Sequence, residues 1–94
     1  MEKNLSEAII SAKIKTLSGW GFEKNSLKKG FQFKDFRSAM AFIVRVSYEA
    51  EQQDHHPEIF NCYNKVELSL STHDANNQVT QKDFDLAEAI DSIS

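Results

Sequence analysis

Residues 51–73, EQQDHHPEIFNCYNKVELSLSTH, contain the features that decide the fold. The polar start of this stretch ends a long segment of helical periodicity, and Pro57 prevents a helix from continuing. Two runs with apolar residues then flank Asn64-Lys65, and asparagine at the first centre of a two-residue turn tolerates a positive φ. This pattern predicts a helix that ends before Pro57, followed by two antiparallel strands within residues 58–72.

The segments on either side of this stretch have the period of helices. Upstream, Asp35 is a typical N-cap, and one helical arc carries Phe36, Ala39, Met40, Ile43, Val46 and Ala50. Downstream, Thr80-Gln81-Lys82-Asp83 resembles a capping box, and the helix that it begins turns inward Leu86, Ala87, Ile90 and Ile93. Both helices are expected to pack on the sheet.

The N-terminal third adds a helix and a second hairpin. A helix is predicted over residues 5–17, capped by Asn4 or Ser6, with one apolar face formed by Ile10, Ile14 and Leu17. Alternating aromatic residues at 20–23 and 30–33 predict two strands joined through Asn25-Ser26. The element order is then α-β-β-α-β-β-α. This order is typical of an α+β fold with a four-stranded antiparallel sheet and helices packed on one face, and we expect a single domain over residues 1–94.

Composition narrows the classes of function. The 94 residues include 11 Lys or Arg and 14 Asp or Glu, for a net charge of −3, and contain no basic block. A nucleic-acid-binding face normally needs clustered basic side chains, so nucleic acid is not an expected partner. The single cysteine, Cys62, allows no intramolecular disulfide and suits a reducing compartment. Because the sequence has no signal peptide and no membrane-spanning run, we expect a cytoplasmic protein without a membrane partner.

The three histidines are predicted to converge at the base of the second hairpin. A turn at Asn64-Lys65 pairs residues whose numbers sum to 64 + 65 = 129. Asn61 then faces Leu68 on the side of the helices, and His56 faces His73 on the other side. His55 lies beside them in sequence, with Asp54 and Glu51 nearby.

Three interpretations of this cluster remain open. The first is a chance meeting of polar surface residues, because exposed histidines are common. The second is a zinc site, since three imidazoles can hold zinc. However, adjacent side chains in an extended segment point to opposite faces, so His55 and His56 could not easily share one ion. The third is acid–base catalysis, because histidine exchanges protons near neutral pH.

The motifs of this region resemble those of the pterin-4a-carbinolamine dehydratases. In chain order they are Gly19-Trp20, FQFKDF at residues 31–36, Glu51, His55-His56-Pro57, Phe60, Tyr63-Asn64-Lys65-Val66, Ser71-Thr72-His73 and Asp83. The resemblance covers nearly the whole chain. It implies an enzyme that dehydrates 4a-hydroxytetrahydropterin to quinonoid dihydropterin in pterin cofactor regeneration, with no metal and no dissociable cofactor.

The resemblance also implies roles for individual residues. His55, His56 and His73 match the active-site histidines of the family. Because the predicted hairpin places His56 opposite His73, these two are the expected proton-transfer pair, and His55 is expected to bind or orient the substrate. The implied substrate-binding positions are Glu51, Asp54, Pro57, Ser71, Thr72 and Asp74. Glu51 is equally compatible with a solvated helix surface, and for Asp83 we favour a first-turn residue stabilised by the helix dipole. Lys82 stands where mammalian members carry arginine.

Partners follow from the same resemblance. Family members form dimers and tetramers, so a homodimer or homotetramer is expected. Phe60 and Cys62, which are apolar positions on the otherwise polar face of the sheet, are compatible with a subunit contact. Mammalian members also serve as dimerisation cofactors of a homeodomain transcription factor. A non-catalytic protein-binding module is therefore the alternative function.

Overall fold

The order of helices and strands follows the prediction. A computed structural model describes residues 4–94, which form α1 (Glu7–Ile14), β1 (Gly21–Glu23), β2 (Ser26–Gln32), α2 (Phe36–Gln53), β3 (Glu58–Cys62), β4 (Lys65–Leu70) and α3 (Gln81–Ile93), with a 3₁₀ turn at His73–Ala75. The strands pair antiparallel in the order β1-β2-β4-β3. The predicted α+β class and its four-stranded sheet are confirmed.

The two faces of the sheet differ in polarity, because side chains alternate along each strand. The face that the helices cover carries fully buried apolar side chains: Leu27, Val66, Leu68 and Leu70. The open face carries exposed polar side chains, among them Glu23, Gln32, Lys65 and Glu67. One core therefore lies between the sheet and the helices.

α2 begins where the sequence predicts and buries one stripe of side chains. The Asp35 carboxylate accepts a hydrogen bond from the backbone N–H of Ser38 at 2.8 Å, which caps the helix. This bond holds the pKa of Asp35 below its ordinary value, with a smaller contribution from the Ser38 side chain and from Lys34. The buried stripe consists of Ala39, Phe42, Val46 and Ala50.

Phe42, which the predicted arc leaves out, is the central side chain of this stripe. It is fully buried, and its ring centroid lies 4.7 Å from that of Phe31 and 5.0 Å from that of Phe33. Phe36, which the arc includes, is 48% exposed. Phe42 follows Ala39 by three residues and precedes Val46 by four, a spacing that centres it on the buried side.

Both hairpin turns lie one residue earlier than predicted. The second turn is at Tyr63-Asn64, with Cys62 paired to Lys65, so partner numbers sum to 62 + 65 = 127. Asn64 is held by the residue that follows β2, since its Nδ2 donates to the carbonyl of Phe33 at 2.8 Å. The shift moves every partner by two residues, which leaves each side chain on its predicted face.

The first hairpin differs from the prediction in the same way. It turns at Lys24-Asn25, whose φ values are 52° and 62°, and Ser26 already belongs to β2. Two positive φ values at the turn centres match the right-handed twist of the flanking strands.

α1 is shorter than the predicted segment of residues 5–17. Its N-cap is Ser6, whose hydroxyl accepts a hydrogen bond from the backbone N–H of Ile9. Ile10 is its buried residue, and Ile14 and Leu17 pack at the edge of the core. Within residues 4–94, no helix is long and apolar enough to cross a membrane.

Candidate active site

The end of α2 separates the two adjacent histidines. Asp54 has a left-handed conformation, with φ 51° and ψ 44°, and its backbone N–H donates to the carbonyl of Glu51 at 3.1 Å. The backbone N–H of His55 donates to the carbonyl of Ala50 at 3.0 Å. Together these bonds form a Schellman motif, with aspartate at the position that glycine usually occupies. The chain reverses here, so that His55 is buried and His56 is exposed.

His55 contacts the first turn of α3. His55 is only 8% exposed, and its Nε2 lies 2.6 Å from Oδ1 of Asp83, whose carboxylate is fully buried. Burial of an ionisable group is tolerated when hydrogen bonds replace its water. The contact therefore couples the end of α2 to the start of α3.

Asp83 belongs both to a helix cap and to the histidine cluster. Its Oδ2 accepts from the backbone N–H of Thr80 at 2.9 Å and from the Thr72 hydroxyl at 2.8 Å. The predicted capping box of Thr80 and Asp83 is confirmed. The preference for Asp83 as a helix-start residue alone is wrong, because its other oxygen contacts His55.

His56 points away from the core and pairs with Glu51. Its Nε2 lies 2.6 Å from Oε1 of Glu51, and the two side chains are 58% and 78% exposed. The two residues are five positions apart across the end of α2. Glu51 therefore contacts a histidine, and its side chain is also solvated.

His73 reaches the same region from the end of β4. Beyond Leu70, the backbone N–H of Thr72 donates to the carbonyl of Gln78 at 2.9 Å, and this bridge closes the loop that contains His73. Asn76 and Asn77 have positive φ values of 59° and 58°, which turn the loop back toward α3. His73 begins the 3₁₀ turn and is exposed.

All three histidines line one cavity. It has a volume of about 170 Å³ and is lined by Asp54, His55, His56, Ser71, Thr72, His73, Asp74 and Lys82. Of the predicted site residues, Glu51 and Pro57 are not among those lining it. Imidazole, carboxylate and ammonium groups converge here, which gives the cavity both donors and acceptors of protons.

The route by which the sequence predicts this convergence is wrong in one step. β3 begins at Glu58, so His56 is not part of the strand ladder, and the observed register would place it opposite Ser71 rather than His73. The histidines meet because the end of α2 and the end of β4 lie at the same, open end of the β3–β4 hairpin. Lys82, on α3, also lines the cavity.

The chain offers little support for a metal at this place. Within residues 4–94, no three or more His, Cys, Asp or Glu side chains are arranged to hold a metal ion. His55 and His56 contact different carboxylates, on α3 and α2 respectively. A larger depression, of about 430 Å³, lies along β2 and β4 and is lined by lysines, glutamates and glycines among others, without a histidine. All three histidines thus lie in the smaller cavity.

Comparisons with known proteins converge on one family. The family model described as pterin 4 alpha carbinolamine dehydratase matches residues 3–93. A curated relative from Christiangramia forsetii, named "Putative pterin-4-alpha-carbinolamine dehydratase", is 47% identical over 99% of this chain and 95% of its own length. A relative of the same name from a Roseiflexus species is 48% identical over 99% of both chains.

A solved structure has the same fold. The crystal structure of a transcriptional coactivator/pterin dehydratase from Brucella melitensis superposes with a TM-score of 0.90 at 36% identity. The match covers 96% of this chain and 97% of the other. Sequence and structure comparisons therefore agree over nearly the full length.

Proposed function

Because this chain belongs to the pterin 4 alpha carbinolamine dehydratase family, we propose that it dehydrates 4a-hydroxytetrahydropterin to quinonoid dihydropterin and water. The observation that carries the proposal is the meeting of His55, His56 and His73 in one cavity. The reaction regenerates the pterin cofactor after the hydroxylation of an aromatic amino acid. It needs proton donors and acceptors at fixed positions, which imidazoles supply near neutral pH.

The chemistry divides into two proton transfers. The bond between C4a and its hydroxyl oxygen breaks, and an acid protonates that oxygen so that water leaves. A ring nitrogen loses its proton to a base, and its electrons form the new C=N bond. No electrons enter or leave, so no redox cofactor takes part. Each positioned proton transfer typically accelerates a reaction by about 10²–10⁴-fold.

The lining of the cavity suits a flat heterocycle with amide-like edges. Ser71, Thr72 and Asp74 follow β4, where backbone N–H and C=O groups no longer all belong to the strand ladder. Asp54 lines the opposite side and is the turn residue that places both histidines. A cavity of about 170 Å³ would take the fused rings and leave a substituent outside. Pro57 would act only by fixing the chain after His56.

The decisive test replaces His73 by alanine. We expect His73→Ala to lose most of its turnover of the 4a-carbinolamine in a stopped-flow assay while its circular dichroism spectrum is unchanged. His73 is exposed and makes no side-chain hydrogen bond among the described residues, so its removal should not unfold the protein. Asn77→Gly is a matched control in the same loop, because glycine adopts the positive φ of Asn77 without strain. Unchanged turnover by His73→Ala would contradict the proposal.

A second candidate function is that of a protein-binding module. The relative from Brucella melitensis is described as a transcriptional coactivator as well as a dehydratase. In this chain, α2 exposes two large apolar side chains one turn apart, Val44 at 53% and Tyr48 at 73%. Binding through this surface would not need the histidines. The same His73→Ala variant therefore separates the two functions, since it should lose turnover and keep any regulator bound through α2.

The proposal also includes a homo-oligomer that forms through β3 and a location in the cytoplasm. β3 is an edge strand of the sheet, and it exposes Ile59 at 42% and Phe60 at 61%. An unpaired edge with apolar side chains is suited to pairing with a second copy of the chain, which fits the expected homo-oligomer. The single, exposed Cys62 is compatible with the reducing conditions of the cytoplasm.

A further inference from the structure

We propose that Asp83 is a positioning residue that holds His55 in the tautomer with hydrogen on Nε2, so that His55, which the sequence leaves outside the expected proton-transfer pair, exchanges a proton with the substrate through Nδ1. The proposal rests on the dehydratase function above. Its structural half, the tautomer, can be measured without any substrate.

The direction of every hydrogen bond around Asp83 can be assigned. The Thr72 hydroxyl has one hydrogen, and it is donated to Oδ2 of Asp83. Thr72 Oγ1 and Thr80 Oγ1 lie 2.6 Å apart, so the hydrogen between them must come from Thr80. Thr80 Oγ1 in turn accepts from the backbone N–H of Lys82 at 3.2 Å. The two hydroxyls therefore form a chain of donors that ends at the carboxylate.

The remaining oxygen of Asp83 determines the state of His55. Oδ2 already accepts two hydrogen bonds, from Thr72 and from the backbone of Thr80. Oδ1 faces Nε2 of His55 at 2.6 Å, and a carboxylate can only accept. Nε2 must therefore carry a hydrogen whether the ring is neutral or protonated.

This arrangement leaves Nδ1 as the reactive nitrogen. Nδ1 makes no hydrogen bond within residues 4–94, and no buried side-chain nitrogen or oxygen there lacks a partner. Nδ1 is therefore not completely buried, and His55 lines the cavity. In the neutral ring Nδ1 has a lone pair, and in the protonated ring it carries the transferable proton. The arrangement is that of a catalytic histidine–aspartate pair, in which the carboxylate fixes the tautomer and orientation of the imidazole.

Asp83→Asn provides the sharpest test, because it should reverse the tautomer without removing the helix cap. The backbone N–H of Thr80 is a fixed donor, so the amide oxygen of asparagine must take the place of Oδ2. Its NH₂ group then faces His55 and donates to Nε2. The ring must carry its hydrogen on Nδ1 instead, and the lone pair in the cavity is lost.

The experiment combines ¹⁵N NMR of the histidine rings with stopped-flow kinetics. We expect hydrogen on Nε2 of His55 in the wild type and on Nδ1 in Asp83→Asn. We also expect kcat to fall by about 100-fold, the lower end of the range for a positioned proton transfer. Asp35→Asn is the matched control, because it makes the same change at the cap of α2 and should alter neither measurement.

The outcomes separate the two proposals. Hydrogen on Nδ1 in the wild type would overturn the role of Asp83, and this measurement stands even if Asp83→Asn does not fold. A folded Asp83→Asn variant with an unchanged tautomer, or with a reversed tautomer and unchanged kcat, would overturn it as well. A wild type that does not turn over the carbinolamine, yet has hydrogen on Nε2, would instead overturn the proposed dehydratase function.

Discussion

At the scale of the residue, two neighbouring histidines have opposite environments. His55 is held by a carboxylate with no exposure, whereas His56 is held by one that is 78% exposed. The left-handed turn at Asp54 is the physical cause, because it directs successive side chains to the core and to solvent. The two adjacent imidazoles are therefore not equivalent, and a dehydration needs two different groups, one that donates a proton and one that accepts a proton.

The contact between Glu51 and His56 is exposed, so we expect its removal to have only a small effect on turnover and stability. We expect Glu51→Gln to lower kcat/KM by at most about fivefold, because an exposed pair of this kind contributes at most roughly 1 kcal/mol and about 1.4 kcal/mol corresponds to tenfold. The unfolding free energy should change by less than about 1 kcal/mol. Steady-state kinetics and urea unfolding measure the two effects.

Glu49→Gln is the control for this prediction. It removes the same charge from the same helix, and Glu49 makes no side-chain hydrogen bond among the described residues. Equal losses of kcat/KM in the two variants would show that net charge, and not the contact with His56, is responsible.

Some features of the cavity could be predicted from the sequence, and others could not. His55, His56 and His73 are recognisable from residue types and motif spacing, and the structure brings them together. The capping box of Thr80 and Asp83 can also be predicted from the sequence, because both residues lie within one helical turn. The contact of Asp83 with His55 cannot be predicted from the sequence, because the residues are 28 positions apart and only the packing of α3 against the end of α2 brings them together.

At the scale of the element, α2 shows how a helix cap responds to pH. The hydrogen bond from the Ser38 backbone holds the pKa of Asp35 below its ordinary value. A carboxyl with a lowered pKa in the folded state stabilises the fold above its unfolded pKa and loses that contribution as the pH falls through its folded pKa. The contribution of Asp35 should therefore be constant above about pH 5 and be lost progressively as the pH falls below about 4.

Asp35→Asn tests this dependence. Asparagine retains the cap but not the charge that favours the helix N-terminus, so the wild type should be the more stable protein at pH 6. The difference should shrink as the pH falls from 4 toward 2, when Asp35 is protonated. Urea unfolding followed by circular dichroism at several pH values measures it. A difference that is the same at pH 6 and pH 2 would contradict the assignment.

The two hairpins mark the limit of prediction at this scale. Propensity places asparagine at the first centre of each turn, yet Asn25 and Asn64 both occupy the second. Tyr63 takes the first centre with φ 52°, a conformation that its own propensity disfavours. Asn61 donates locally to the carbonyl of Lys65, and Asn64 donates to the carbonyl of Phe33. The second hydrogen bond is a tertiary contact, which cannot be predicted from the four turn residues. The period of two survives, so the faces are predicted correctly although the partners are not.

At the scale of the whole molecule, one face of the sheet is covered, and neither edge pairs with a further strand within residues 4–94. The helices cover one face, and β1 and β3 are the outer strands. β1 is only three residues long, while β3 has five and exposes Ile59 and Phe60. A longer apolar edge is the place where another strand gains most by pairing. We therefore expect the wild type to have at least twice its chain mass of 10.7 kDa in light scattering.

Phe60→Lys should convert this oligomer to a monomer without unfolding it. Phe60 lies directly across from Glu67, so the new lysine gains an opposite charge within the sheet while it repels the same residue of a second copy. Val44→Lys, on the exposed face of α2, is the matched control and should leave the mass unchanged. If Val44→Lys dissociates the oligomer and Phe60→Lys does not, the subunit contact lies on α2 and not at the β3 edge. Because neither residue lines the histidine cavity, loss of turnover on dissociation by Phe60→Lys would mean that the cavity keeps its geometry only in the assembled protein.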